Sequence, residues 1–461
     1  MYSSHFLGRK ISLLVILIFV VSFVNYMPSK IFAQNEPIIQ SDSAILMDAK
    51  TGAVLYEKNI HKRQFPASIT KIMTALLAVE NGNLEDIITF SHNAVYNIEF
   101  GSSHIGMREG EQITLRDALH GMLLMSANEV SNGIAEYIDG SIEQFAEHMT
   151  IRAKEIGAYN TNFVNPHGLH DENHYTTAYD MALIAREALK YDSFREVVGT
   201  TTYTIAPTNL VDEPRYLAHQ HRLFNKKAYP NSYYEGCIGG KTGFTNEASH
   251  TLVTYAKRNG IELIVVVLKS EKQAMYDDTR TLLDYGFDNF EVVTILNKKT
   301  PVVSVPVVSI INDKKEYQGS IEVYAQEDFA CLIPKGISKE NIIKKISIPE
   351  ELTTPIEKNQ VAGTMDLILQ NKMIGQVNLV TGDSIEMLQP VFSTKVEEKM
   401  FKYETSNKYL RMFIMVISTI LILFLLFGVL VVMINLSRRQ KRRRYYMSKN
   451  RLRFTKYMQK R

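Results

Sequence analysis

Cysteine is nearly absent. The 461 residues include only Cys237 and Cys331, with no Cys-x-x-Cys pair and no zinc-ligand spacing. A disulfide framework and a structural zinc site are therefore excluded as organising devices. The two cysteines fall in segments that read as different domains, so no bridge between them is expected. Tryptophan is also absent, from which nothing follows. No internal repeat or low-complexity tract interrupts the chain. With 45% hydrophobic and 22% charged residues, the balance is that of a globular protein without a disorder signature. The length allows two or three domains.

Acidic residues are missing from both ends of the chain, before Glu36 and after Glu404, and the last 24 residues combine that absence with dense positive charge. There Arg438, Arg439, Lys441, Arg442, Arg443, Arg444, Lys449, Arg451, Arg453, Lys456, Lys460 and Arg461 make twelve basic positions with no acidic one. Without these twelve, the formal net charge falls from +3 to −9. The basic balance thus belongs to the tail and does not imply a nucleic-acid partner. Directly before the tail, residues 412–436 are apolar and uncharged, long enough to span a bilayer. Positive charge beside a span stays cytoplasmic, so the preceding residues are expected outside, with the tail attracted to anionic membrane lipids. At the other end, Arg9 and Lys10 precede an apolar run from Ile11 to Val24, and Ala33 suits a cleavage site. The expected order is a signal peptide (1–33), a catalytic domain (38–290), a small all-β domain (296–392), a stalk (393–411), a transmembrane helix (412–436) and a basic cytoplasmic tail (437–461). This places a single-pass protein in a bacterial cell membrane with its globular part on the extracytoplasmic side.

Within the first domain, 43–57 reads as a hairpin around Asp48-Ala49-Lys50-Thr51-Gly52. A helix is expected from Pro66 to Asn81-Gly82, because Ile69, Ile72, Met73, Leu76 and Leu77 keep the spacing of one buried face. Residues 115–125 and 129–138 read as helices broken at Ser126-Ala127-Asn128. Thr177 with Asp180 resembles a capping pair for a helix ending near Lys190. Strands follow at 236–242, 250–257 and 261–269, the last two joined by Arg258-Asn259-Gly260. A helix at about 271–285 closes the domain. Strands, then helices, then strands and a helix imply an α+β fold: an antiparallel sheet built from both ends of the domain, with helices around it. From 296 the composition becomes β-rich, beginning with Val302, Val303, Val305, Val307 and Val308.

Three motifs carry chemistry. Ser68-Ile69-Thr70-Lys71 places a hydroxyl and an amine three residues apart on one helix face, with Ser68 in the first turn. Alone this is an ordinary surface pair. The apolar neighbours place this one in the core, where burial and a nearby cation such as Lys241 lower a lysine pKa and make it a base. Ser126-Ala127-Asn128 alone is a helix stop. With the others it supplies a proton relay at Ser126 and, at Asn128, a donor to Lys71 and to a substrate amide. Lys241-Thr242-Gly243 ends a glycine-rich strand. Its lysine and threonine suit a carboxylate, and its glycine suits close backbone approach. As a set the motifs describe acyl transfer at an amide beside a free carboxylate.

These motifs, together with 44–52, Asn165-Pro166-His167-Gly168-Leu169 and 241–245, resemble the low-molecular-mass penicillin-binding proteins, serine-type D-alanyl-D-alanine carboxypeptidases. The likeness is strong over 43–290 and weaker over 296–392. It implies a β-lactamase/transpeptidase-like fold, with helices on both sides of the antiparallel sheet. It also implies Ser68 as the acyl-enzyme nucleophile, Lys71 as base, and an oxyanion hole from the backbone N–H groups of Ser68 and Phe244. Thr245 would join Lys241 and Thr242 in holding the terminal carboxylate. Peptidoglycan stem peptides are the implied substrates and β-lactams the implied acylating inhibitors; no cofactor and no metal is implied. Three departures stand out: Glu129 replaces an aspartate, 219–223 reads His-Gln-His-Arg-Leu where the family has Asn-x-Asn-x-Leu, and 412–436 is longer than an amphipathic surface helix needs. His219 and His221 read as structural, because the mechanism has no vacancy for them. Endopeptidase, β-lactamase and non-catalytic wall-binding roles are the alternatives; no deacylating carboxylate for a β-lactamase is identifiable.

Overall fold

A computed structural model of the chain describes residues 36–386 apart from Asn312. The signal peptide, stalk, transmembrane helix and basic tail expected above lie outside the described residues. Among the described residues, no helix is long and apolar enough to cross a membrane.

The expected hairpin forms from β1 (Ser43–Asp48) and β2 (Val54–Lys58), its turn held by the Asp48 carboxylate accepting from the Lys50 and Thr51 N–H groups. The Ser68 region departs from expectation. A single 3₁₀ turn, Ala67–Thr70, precedes α1 (Lys71–Asn81), so Ser68 stands ahead of the α-helix rather than in its first turn. The tighter turn eclipses residues three apart and brings Ser68 directly over Lys71.

Next come β3 (Ile87–Thr89), α2 (His92–Tyr96), β4 (Gln112–Thr114) and α3 (Leu115–Met125). A Thr114–Asp117 capping box starts α3. After the two-residue break come α4 (Asn128–Asp139), α5 (Ile142–Ile156), α6 (Ala178–Ala188) and α7 (Asp192–Val198). Thr177 caps α6 through the Asp180 N–H, as its spacing implies. A small hairpin, β5 (Thr202–Ile205) with β6 (Arg215–Ala218), precedes the long strands β7 (Cys237–Thr245), β8 (Ser249–Arg258) and β9 (Ile261–Ser270). Asn259 and Gly260, at φ +51° and +82°, make the tight turn between the last two. Helix α8 (Ala274–Asn289) completes the domain.

The main sheet has the order β2-β1-β9-β8-β7, with every neighbouring pair antiparallel. Its central strand explains the layering. Ile264, Val266 and Leu268 of β9 face the core shared with α1 and the other helices, whereas Leu263, Val265 and Val267 face Leu282, Leu283 and Phe287 of α8. Alternate side chains of one strand thereby serve two cores, each residue contributing about 1.5–3 kcal/mol on full burial. The catalytic motifs gather at the opposite edge of the sheet, beside β7.

The second domain starts at Phe290, earlier than the expected 296, because β10 (Phe290–Leu296) follows α8 directly. Its remaining strands are β11 (Pro301–Ile311), β12 (Lys314–Ala325), β13 (Phe329–Pro334), β14 (Ile343–Ser347), β15 (Leu352–Thr353), β16 (Val361–Leu369) and β17 (Lys372–Thr381). They form a β10–β13 pair and a six-stranded sheet, β14-β16-β17-β12-β11-β15. Among the described residues, a short 3₁₀ turn is the one helical element of this all-β domain. Phe290 and Leu332 join the core beneath α8, tying the two domains together. Cys237 and Cys331 are both buried and free, as expected.

Candidate active site

The site is built where three elements meet: the 3₁₀ turn leading into α1, the break between α3 and α4, and edge strand β7. Lys71 is fully buried beneath Ser68. Its Nζ donates to Asn128 Oδ1 at 2.7 Å and to the His167 carbonyl at 2.7 Å, and stands 3.3 Å from Ser68 Oγ. Burial, and then the Lys241 ammonium, hold the Lys71 pKa well below the usual lysine range; the Glu129 carboxylate opposes the fall. A neutral amine has two N–H bonds, which these two acceptors take. The lone pair is left facing the Ser68 hydroxyl, the geometry of a general base.

Asn128 therefore meets Lys71 as an acceptor, correcting the expectation of a donor there. It is the first residue of α4, and its own N–H donates to the Ser103 carbonyl at 2.8 Å. Ser126 caps α3 in the left-handed conformation, φ +65° and ψ +28°, a backbone state costing about 1–2 kcal/mol for a non-glycine residue. This turn aims its hydroxyl at Lys241, whose Nζ donates to Ser126 Oγ at 3.1 Å and to the Thr242 carbonyl at 2.7 Å. Burial alone pushes the Lys241 ammonium down to about 7.

Gly243 has a reason unforeseen from sequence. A Cβ there would lie 2.9 Å from the Ser68 N and 2.4 Å from Thr251 Oγ1. The strand runs hard against the nucleophile turn, so the close approach that needs glycine is made by the protein itself. Thr242, Gly243 and Phe244 line a cleft of about 420 Å³ together with Ser68, Ser103 and Ser126. Thr245 is not among the lining residues: its Oγ1 accepts from the Ala248 N–H at 3.0 Å in the β7–β8 turn.

Four contributors, His167, Gly168, Arg222 and Lys272, were given no role from sequence alone. The His167 carbonyl fixes Lys71, and Gly168, at φ +86°, sits so close to the nucleophile turn that a Cβ would fall 1.9 Å from the Ala67 carbonyl oxygen. The 165–169 segment was visible as a resemblance, but nothing local showed that its backbone packs on Ser68. Arg222 and Lys272 bring positive charge to the cleft wall, with the Arg222 guanidinium 5.4 Å from the Tyr276 ring centre. His219 and His221 lie behind β7, not in the cleft. His221 Nε2 meets Thr254 Oγ1 at 2.8 Å, and burial keeps both rings neutral, His219 near a pKa of about 3. Both are buried and absent from the cleft lining. Among the described residues, no cluster of three His, Cys, Asp or Glu side chains could hold a metal ion.

Comparison with known proteins agrees with this geometry. Residues 30–272 match the family model described as D-alanyl-D-alanine carboxypeptidase, and residues 290–387 match that of the penicillin-binding protein 5 C-terminal domain. The chain is 34% identical to D-alanyl-D-alanine carboxypeptidase DacF of Bacillus subtilis, over 73% of this chain and 84% of that one. It is 32% identical to D-alanyl-D-alanine carboxypeptidase DacC of Escherichia coli, over 76% of this chain and 85% of that one. Among solved structures, penicillin-binding protein 5 from Haemophilus influenzae matches with a TM-score of 0.63 and 28% identity, covering 76% of this chain and 99% of that one.

Proposed function

Because the chain belongs to the D-alanyl-D-alanine carboxypeptidase family, we propose that it removes the terminal D-Ala from peptidoglycan stem pentapeptides through an acyl-enzyme on Ser68. The observation that carries this reading is the Lys71 amine, buried, doubly anchored and facing Ser68 Oγ. As Ser68 Oγ bonds to the carbonyl carbon of the penultimate D-Ala, its proton passes to Lys71 Nζ. Charge builds on the carbonyl oxygen, which the Ser68 and Phe244 N–H groups receive. The C–N bond then breaks, and the departing D-Ala nitrogen takes a proton relayed from Lys71 through Ser126. Water hydrolyses the ester, with Lys71 again accepting a proton, and Ser68 regains its hydrogen.

The substrate ends in a carboxylate. Lys241 of β7 and Arg222 with Lys272 on the cleft wall supply positive charge, and Thr242 a hydroxyl, to hold it. β-Lactams, whose carboxylate and strained amide present the same features, acylate Ser68 in place of peptide.

The enzyme works outside the cell membrane, held by residues 412–436 after export by residues 1–33. Both segments support this reading by hydropathy and flanking charge.

One experiment tests substrate and location together. Membrane and soluble fractions from cells producing the full chain, or the chain lacking residues 412–461, are incubated with defined muropeptides and analysed by mass spectrometry. Loss of one alanine from pentapeptide is expected, in the membrane fraction for the full chain and in the soluble fraction after truncation. Cleavage of cross-linked dimers without pentapeptide trimming would overturn the carboxypeptidase assignment. Soluble activity from the full chain would overturn the anchor.

A further inference from the structure

A second cavity, of about 620 Å³, opens beside α2 on the segment that leads to β4. It has a backbone wall in common with the active-site region: Ser103 lines the catalytic cleft, whereas His104, Gly106 and Met107 line this cavity. Its other walls are mostly apolar. The rings of Tyr96 and Phe100 stand at its mouth, 61% and 103% exposed, and Met107 lies inside.

Set into this apolar wall is one buried carboxylate, Glu129, on a residue only 1% exposed; Glu99, the other carboxylate lining the cavity, is exposed. Its Oε1 accepts from the Ile105 N–H at 2.7 Å, while Oε2 has no hydrogen-bond partner among the described residues. A buried carboxylate oxygen without a donor is costly, and such groups in native proteins call for a partner. The cations nearby on the chain are committed elsewhere. Arg215 is occupied by Glu111 and by the Ile105 and Gly106 carbonyls, and Lys71 by Asn128 and His167. His104, the basic side chain among the lining residues, is exposed.

We infer that this cavity is a second ligand site, for an alkylammonium group: a primary amine ending an aliphatic chain, donating to Glu129 Oε2, with its methylenes along Met107 and the Tyr96 and Phe100 rings. Each element of the ligand answers a feature of the wall. The unpaired carboxylate asks for a charged donor. Aromatic faces at the mouth attract ammonium. The apolar lining suits methylenes. An anion is disfavoured by Glu129 and by Glu99, which also lines the cavity. A hard metal ion needs more oxygen ligands than this wall provides. Binding here does not depend on the reaction proposed at Ser68.

Isothermal titration calorimetry of the full chain with n-pentylammonium chloride tests the site. Saturable binding is expected, with 1-pentanol, its neutral counterpart, binding at least about tenfold more weakly. Glu129→Gln keeps the shape and removes the charge, and is expected to lower the affinity by about tenfold or more. Phe100→Ala alters only an exposed ring; it is expected to weaken binding several-fold while Ser68 acylation by benzylpenicillin proceeds at the unchanged rate. An Nα-acetyl-lysine amide arm separates two sources of the same chemistry: tighter binding than pentylammonium assigns a peptide side chain, weaker binding a free amine. No saturable binding, or equal pentylammonium affinity in the protein and in Glu129→Gln, overturns the proposal.

Discussion

Replacing Lys71 with methionine is expected to slow acylation of Ser68 by benzylpenicillin about 10²–10⁴-fold, the range for loss of a positioned general base. Methionine is unbranched like lysine and one atom shorter, so the buried slot stays largely filled. Its sulfur cannot take a proton from Ser68 Oγ, which stands 3.3 Å from the native Nζ. Asn128 Oδ1 and the His167 carbonyl lose their donor, at about 1–3 kcal/mol for each acceptor left unpaired. Part of this is returned because a buried amine no longer has to be desolvated. Circular dichroism and the thermal midpoint should therefore show a folded protein, while stopped-flow acylation shows the loss. Acylation within tenfold of the native rate would remove Lys71 from the base role.

The second large effect is on pH dependence. On the mechanism proposed for Ser68, acylation needs Lys71 neutral and Lys241 charged. Lys71 titrates well below the usual lysine range, first from burial and then from the Lys241 charge, and Lys241 titrates at about 7. As pH rises, Lys71 gives up its proton and the rate climbs; as pH passes about 7, Lys241 loses its charge and the rate falls. The two amines lie close enough to titrate as a coupled pair, so the limbs of the bell describe the pair. Lys241→Gln separates them. Acylation becomes slower throughout, the falling limb disappears, and the rising limb moves to higher pH because Lys71 no longer faces a like charge. A rising limb that stays in place would show that Lys241 does not set the Lys71 pKa.

Stability, unlike the rate, only rises with pH through these groups. Both lysines bind protons more readily in the unfolded chain. The stability linked to them is fully present above the ordinary lysine pKa and is lost as pH falls through the folded values. The active site thus holds two buried amines at neutral pH at the expense of stability, a common feature of functional sites.

Much of this arrangement was legible in the chain because it is written in local patterns. The buried stripe from Ile69 to Leu77 announced that the Ser68–Lys71 pair faces inward, and the Asn259-Gly260 turn fixed the β8–β9 hairpin. The Thr177–Asp180 cap placed the start of α6. What escaped depends on backbones that are distant in sequence but adjacent in space. No local signal shows that the His167 carbonyl receives Lys71, or that Gly168 and Gly243 must be glycine because the Ala67–Ser68 backbone passes within reach of their Cβ positions. The 3₁₀ turn at Ser68 was invisible for a related reason. Pro66 is compatible with either helix start, and the choice is set by packing against β7 and the 165–169 segment. Asn128 was placed at the site, but its orientation depends on which of its amide atoms meets Lys71, something residue type does not specify.

The central claim is that Ser68 carries the acyl group. Intact-mass spectrometry followed by peptide mapping, after incubation with benzylpenicillin, tests it most directly. The native chain should gain one penicilloyl group on the peptide containing Ser68, and Ser68→Ala, with an unchanged thermal midpoint, should gain none. An adduct on another residue, or normal labelling of the folded Ser68→Ala protein, would contradict the account.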